Sequence, residues 1–260
     1  MKKKGVPGKE KKHLKELSKY NTSDKSFTII NKKYTTLLIK MREKKGIYCI
    51  FEGPEGSGKS TQINSLYNRL IKKGYPTHTT KEPGGTKIGA QIRASLLDAS
   101  NYKMDPTTEI FLYAADRAQH TSEIIIPRLE QGYFIIGDRG PDSSLAYQGY
   151  GRGLDKDEIK KMNEKAMKGR KQDIEFIIGT ANIEKWLERA KGATNQEGLE
   201  DRMENEMIEF HKKVMQGYLE IYKQNPDTHI LIWDENGDRT KEDIQEEAIY
   251  NINQRFNLGI

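Results

Sequence analysis

Apolar residues fall in short clusters along this chain, and the spacing inside each cluster separates strands from helices. Gly46-Ile47-Tyr48-Cys49-Ile50-Phe51 is a short apolar run rich in β-branched and aromatic residues and predicts a buried strand. After a glycine-rich loop, Ile63, Leu66, Tyr67, Leu70 and Ile71 recur at helical spacing over 61–73, and Gly74 stops them. Residues 75–80 predict a second strand, halted by Pro83-Gly84-Gly85, and 88–97 a short helix. Asp105-Pro106 is a cap and first-turn pair for a helix running to about Gln131, which Pro127 kinks or splits. Strands follow at 133–137, 174–178 and 229–233, and helices at 155–168, 183–190, 202–222 and 240–256. A stretch rich in glycine, asparagine and glutamine, 192–198, separates two of those helices. Near the N-terminus, 27–30 and 34–39 are β-prone around Asn31-Lys32-Lys33 and could pair as a hairpin.

Helices between five short apolar strands predict an α/β fold, a parallel five-stranded sheet with helices on both faces. Ligands then bind beyond the carboxyl ends of the strands. The loop after the first strand says which ligand. Gly53-Pro54-Glu55-Gly56-Ser57-Gly58-Lys59-Ser60 fits G-x-x-x-x-G-K-[ST] in full, with a strand before it and a helix after it. Its glycines let backbone N–H groups turn inward on phosphate oxygens, and the helix start adds a positive dipole end. Lys59 can reach the β- and γ-phosphates and the Ser60 hydroxyl can ligate Mg²⁺. A P-loop NTPase-type fold binding a nucleoside triphosphate follows. The acceptor does not, because GTPases, motors and small-molecule kinases share this loop.

Composition narrows the class. No window of the 260 residues approaches the ~18 uncharged apolar residues of a spanning helix. The single cysteine, Cys49, excludes a disulfide within the chain and is compatible with a reducing cytoplasm. The net charge of +6 is unevenly spread. Residues 1–45 hold 15 Lys plus Arg and 4 acids, a net +11, and the rest holds 29 bases and 34 acids, a net −5. The chain therefore reads as a basic, flexible N-terminal extension, 1–45, on an acidic body, 46–260. The extension lacks the apolar core of a secretory signal, and its one arginine, Arg42, argues against a mitochondrial presequence. Met41 offers an alternative start. A basic tail also fits nucleic acid or an anionic surface. The five histidines show no metal-ligand spacing.

Several segments downstream of the phosphate loop resemble the thymidylate (dTMP) kinases. Phe51 to Thr61 is the first. Glu82-Pro83-Gly84-Gly85-Thr86 with Ile92-Arg93 is the second, and Phe111 to His120 the third. The fourth is Asp138-Arg139 with Asp142 to Gly149 and Gly151-Arg152-Gly153-Leu154, and Asp201-Arg202-Met203-Glu204 is the fifth. Their order and spacing match the family from about 46 to 255. The resemblance implies transfer of the γ-phosphate of ATP to dTMP, a helical lid at about 188–202, and a homodimer, with the helix of 105–131 a candidate contact. With no spanning window, no membrane partner is expected. Gly53 to Thr61 would bind ATP, with Ser60 and Asp138 as Mg²⁺ ligands, Asp138 directly or through water. Arg93 and Arg139 match the arginines that hold the acceptor phosphate; guanidinium forks suit that contact, though either alone would read as a surface arginine. Tyr113 matches the aromatic that stacks on thymine, and Arg117 and Ser144 match contacts to its edge. Tyr147 matches the residue near the sugar C2′, with Gln148 beside it, and Glu55 the acid near the acceptor 3′-hydroxyl. Lys59, Arg139, Glu55 and a lid cation, Arg189 or Arg202, would carry the transfer.

Three positions depart from the family pattern. Gly140 stands where an aromatic or histidine usually follows Asp-Arg, which puts the seat of Arg139 in question. The fourth strand ends Ile178-Gly179-Thr180 rather than on an acid. The lid offers only Arg189, Lys191 and Arg202. Two alternatives stay open: a broader deoxynucleoside monophosphate kinase, and a nucleic-acid-associated ATPase using the basic tail.

Overall fold

The computed structural model describes residues 46–194, 202–203 and 205–260. The N-terminal extension with its hairpin at 27–39, and the part of the lid at 195–201, lie outside the described residues. Strands β1 (Ile47–Glu52), β2 (Thr77–Lys81), β3 (Phe134–Asp138), β4 (Ile174–Thr180) and β5 (His229–Asp234) form one sheet in the order β2-β3-β1-β4-β5. Every pairing is parallel. The connections run to one side of β1 first and to the other side afterwards, so the strand order reverses at β1. A ligand crevice belongs at that reversal, above the carboxyl ends.

Both faces of the sheet are covered, which is why β1 and β4 read as continuous apolar runs. Cys49 and Phe51 pack with Leu66 and Leu70 of α1 (Lys59–Lys72) and with Ile249 and Ile252 of the closing helix. Tyr48 and Ile50 point the other way, onto Ile125, Leu129 and Met167. The register sets Phe51 beside Asp138. The phosphate loop leaving β1 and the acid ending β3 are therefore neighbours.

The helices are α2 (Lys87–Leu97), α3 (Pro106–His120), α4 (Ile126–Glu130), α5 (Pro141–Ser144), α6 (Lys156–Ala166), α7 (Ile183–Thr194), α8 (Ile208–Gln224) and α9 (Lys241–Phe256). Asp105 caps α3 as expected, accepting from the Thr107 N–H at 2.8 Å. The long helix after it is interrupted by a π-helical turn at Thr121–Ile125, just ahead of Pro127, which has no N–H to donate. Two expectations shift. The helix expected from 202 begins at Ile208, and a wide helical turn, Leu145–Gly151, follows α5 where no element was predicted. Glycines hide that turn from a reading by periodicity. A Cβ on Gly151 would sit 2.6 Å from the Phe210 ring, and one on Gly217 2.8 Å from the Tyr150 ring, so these glycines let the turn lie against α8.

Candidate active site

The phosphate loop departs from β1 through Gly53, whose φ of +138° and missing Cβ are both required. A Cβ there would lie 2.3 Å from the Ile178 carbonyl of β4. Lys59 opens α1 and is 8% exposed. Its Nζ donates to the Gly53 and Pro54 carbonyls, at 2.9 Å each, and to Ser57 Oγ at 3.3 Å. Burial and then the nearby charge of Arg139 lower the Lys59 pKa from 10.5 to about 8. Ser60 Oγ donates to Asp138 Oδ2 at 3.5 Å. A hydroxyl and a carboxylate beside a phosphate loop are hard oxygen donors, a set that fits Mg²⁺.

Arg139 follows β3 with φ +70°, a left-handed backbone that costs about 1–2 kcal/mol. Contacts on all sides hold it there. Its N–H donates to the Phe51 carbonyl at 2.9 Å. Nη1 donates to the Gly53 carbonyl at 3.1 Å, and Nη2 donates to Glu55 Oε1 at 2.6 Å and Tyr147 Oη at 3.1 Å. Tyr147 Oη in turn donates to Glu55 Oε2 at 2.8 Å. Burial raises the Glu55 pKa, but the charges of Arg139 and Lys59 outweigh it and hold the carboxyl below its usual range.

Gly140 thus does not leave Arg139 unseated. Its N–H donates to Glu52 Oε1 at 2.7 Å and its carbonyl accepts from Arg117 Nη2 at 2.8 Å. A Cβ there would meet Ile50 Cδ1 at 2.7 Å. The backbone of Gly140 is extended, so only the side chain conflicts. Gly140→Ala is therefore expected to cost about 1–3 kcal/mol in chemical denaturation, and Ile50→Val in the same chain to recover part of it.

On the other wall, Arg117 is 1% exposed. Nε donates to Glu82 Oε2 at 2.8 Å, Nη1 to Ser144 Oγ at 2.9 Å and Asn163 Oδ1 at 2.7 Å, and Nη2 to Gly140. These contacts use four of its five N–H groups. Glu82 is also bonded to His120 Nδ1, at 2.9 Å. Burial raises the Glu82 pKa, yet Arg117 and His120 hold it below the usual value. Arg93 donates to the Pro83 carbonyl at 3.0 Å.

One open cavity of about 680 Å³ collects these groups. Glu55, Lys59, Ser60, Thr61 and Asp138 line it on the phosphate-loop side, with Gly56 and Gly58. Arg93, Tyr113, Arg117, Arg139, Ser144, Tyr147 and Gln148 line the rest. Gly53, Pro54 and Ser57 lie behind, holding Lys59. Arg189 stands at the rim, donating to the Gly237 carbonyl at 2.6 Å. Arg202 is turned elsewhere. It ion-pairs with Glu109 at 2.7 Å and donates to the Leu96 carbonyl at 2.9 Å, while its neighbour Met203 faces the cavity. Gln148 shares that buried Glu109, at 2.8 Å.

Residues with no role assigned from sequence complete the site. The buried Glu52 carboxylate accepts from Ser143 N and Oγ at 3.0 and 2.6 Å and from Tyr218 Oη at 2.8 Å, as well as from Gly140. Burial raises its pKa. It clamps the turn that carries Arg139. The only signal in the sequence was an acid closing an otherwise apolar strand.

The family model described as thymidylate kinase matches residues 51–247. The chain belongs to the thymidylate kinase family. A thymidylate kinase from Halothermothrix orenii is 46% identical over 209 residues, 80% of this chain and 97% of that one. One from Pelobacter propionicus is 41% identical over 211 residues, covering 80% and 94%. The crystal structure of thymidylate kinase from Ehrlichia chaffeensis, 30% identical, superposes with a TM-score of 0.63 over 80% of this chain and 98% of that one. The thymidylate kinase match takes in the phosphate loop, Arg93, the Arg117 wall and α8. It begins beyond the +11 extension.

Proposed function

We propose that the protein transfers the γ-phosphate of ATP to dTMP, giving dTDP and ADP for dTTP synthesis. One observation carries this reading: a single cavity sets Lys59 and Ser60 of the phosphate loop against a wall of Arg93, Tyr113, Arg117 and Ser144. Phosphoryl transfer asks mainly for positioning and for cations around the moving charge. Lys59 exchanges its loop carbonyls for the β- and γ-phosphate oxygens. Arg93 and Arg139 hold the acceptor phosphate, and Glu55 keeps the Arg139 fork aimed. Tyr113 stacks on the base, and Arg117 meets its edge. Tyr147, held by Glu55, stands beside the sugar. Ser60 and Asp138 would hold Mg²⁺, which supplies neutralisation of phosphate charge. Arg189, already at the rim, is the lid cation the geometry favours, and Arg202 anchors the foot of the lid through Glu109. With γ-labelled ATP, label should pass to dTDP. Label appearing only as inorganic phosphate would overturn the assignment in favour of an ATPase.

Lys59 makes ATP binding pH-dependent. Its folded pKa of about 8 lies below the free value of 10.5, so between those pH values the empty protein holds less than one proton there. Apo stability therefore rises with pH through that window. Phosphates restore the charge, so binding takes up a proton, and affinity falls up to about tenfold per pH unit above 8. Calorimetry at pH 9 in buffers of different protonation enthalpy reads the uptake, and buffer-independent heats would contradict it.

The same reading makes the protein a cytoplasmic homodimer. Phe111, 58% exposed on α3, supports that helix as the contact, and sedimentation velocity measures the state.

A further inference from the structure

The sheet face that carries Glu52 also carries Glu175 and His229, paired side by side in the β4–β5 register. Helix α5 lays Asp142 against them. His229 Nε2 is 2.7 Å from Asp142 Oδ2 and 3.4 Å from Glu175 Oε1, and the three ligand atoms all lie within 4.8 Å of one another. One ring N–H faces two carboxylates and goes to Asp142. Glu175 is 0% exposed, and among the described residues no hydrogen bond reaches its Oε1. Its other oxygen accepts from Gln172 Nε2 at 2.7 Å, which leaves Oε1 as the atom turned toward the ring. His229 Nδ1 is 2.8 Å from Thr228 Oγ1. That contact orients the imidazole and leaves Nε2 as the ligating nitrogen.

We propose that Asp142, Glu175 and His229 form a binding site for Zn²⁺, separate from the phosphate-loop metal site. One nitrogen and two carboxylates make the mixed N/O set that zinc accepts, with water as a fourth ligand. Ligands about 2.0–2.2 Å from a tetrahedral zinc stand roughly 3.4 Å apart. The His229–Glu175 pair already has that span, Asp142 stands about 0.7 Å closer than that to His229, and the Asp142–Glu175 pair lies within 4.8 Å. A divalent cation balances the buried Glu175 and half-buried Asp142 carboxylates and displaces the proton that His229 shares with Asp142. The Asp142 side chain is 17% exposed, which supplies an entry path. A hard cation seeking six oxygens, such as Mg²⁺, suits the set poorly. None of the three residues lines the nucleotide cavity. Asp142 nevertheless adjoins Ser143 and Ser144, the partners of Glu52 and Arg117, so bound zinc pins the turn beneath the acceptor wall.

The test uses the full chain stripped with a chelator and needs no nucleotide, so it stands apart from the kinase assignment. Zinc chloride titrated in excess Mg²⁺ should bind with one site that His229→Asn and Glu175→Gln each weaken at least as much as the ~10–100-fold typical of losing an outer-shell partner. Crystals of the unaltered protein soaked in zinc chloride should show an anomalous peak among the three side chains, whatever the variants do to folding. No peak there, or a zinc affinity that both variants leave unchanged, would overturn the proposal.

Discussion

Lys59→Met should lower kcat by on the order of 10²–10³-fold and leave the melting temperature unchanged or higher. The two halves of that expectation share one cause. The loop holds the ammonium with two carbonyls and a hydroxyl at 8% exposure, and burial with Arg139 nearby already makes its charge unfavourable, as the pKa of about 8 records. Removing that charge therefore relieves the empty protein. In the proposed reaction it also removes the ammonium that meets the β- and γ-phosphate oxygens, and a donor aimed at developing charge is worth several kcal/mol. A substitution that cost stability and activity together would mean that Lys59 is structural. Arg at this position should not rescue, because the planar fork does not fill the place of a compact ammonium.

Glu82→Ala should cost about 3–5 kcal/mol of stability, the largest loss expected from a single side chain in the site. Glu82 is 3% exposed and Arg117 1%, with 2.8 Å between them. Truncating the acid strands a buried guanidinium and frees His120 as well. For a domain of this size the melting temperature should drop by on the order of 10 °C. Glu82→Ala with Arg117→Met should recover most of that loss, since the unpaired charge goes with its partner, while KM for dTMP should rise if Arg117 meets the base edge as proposed. Calorimetric melts of the two single variants and the double variant measure the coupling. An additive double variant would show that Glu82 acts without Arg117.

What could be read from the sequence was local or periodic. The phosphate loop is a constraint on consecutive backbone units, and β1, β3, β4 and β5 show as apolar runs because the sheet is covered on both faces. Asp105, Gly74 and Asp138 mark element ends by their own chemistry. The polar scaffold behind the cavity carried no such mark. Glu52 and Tyr218 are 166 residues apart, Arg117 and Asn163 46, and nothing in spacing pairs them. Arg202 shows the same limit, since resemblance brings it to the lid while its buried partner, Glu109, lies on α3. His229 showed no ligand spacing because its neighbours arrive through sheet register and a distant helix. The turn at Leu145–Gly151 went unseen because its glycines serve close packing rather than propensity.

In the proposed reaction, the wall of Arg117, Tyr113, Ser144 and Tyr147 selects thymidylate as the acceptor. The most direct measurement is kcat/KM for dTMP, dUMP, dCMP, dGMP and UMP with ATP and Mg²⁺ under one set of conditions. The predicted result is the highest value for dTMP, with UMP suppressed by Tyr147 beside the sugar. ADP release with dTMP no faster than without an acceptor, or no faster than with dGMP, would contradict it.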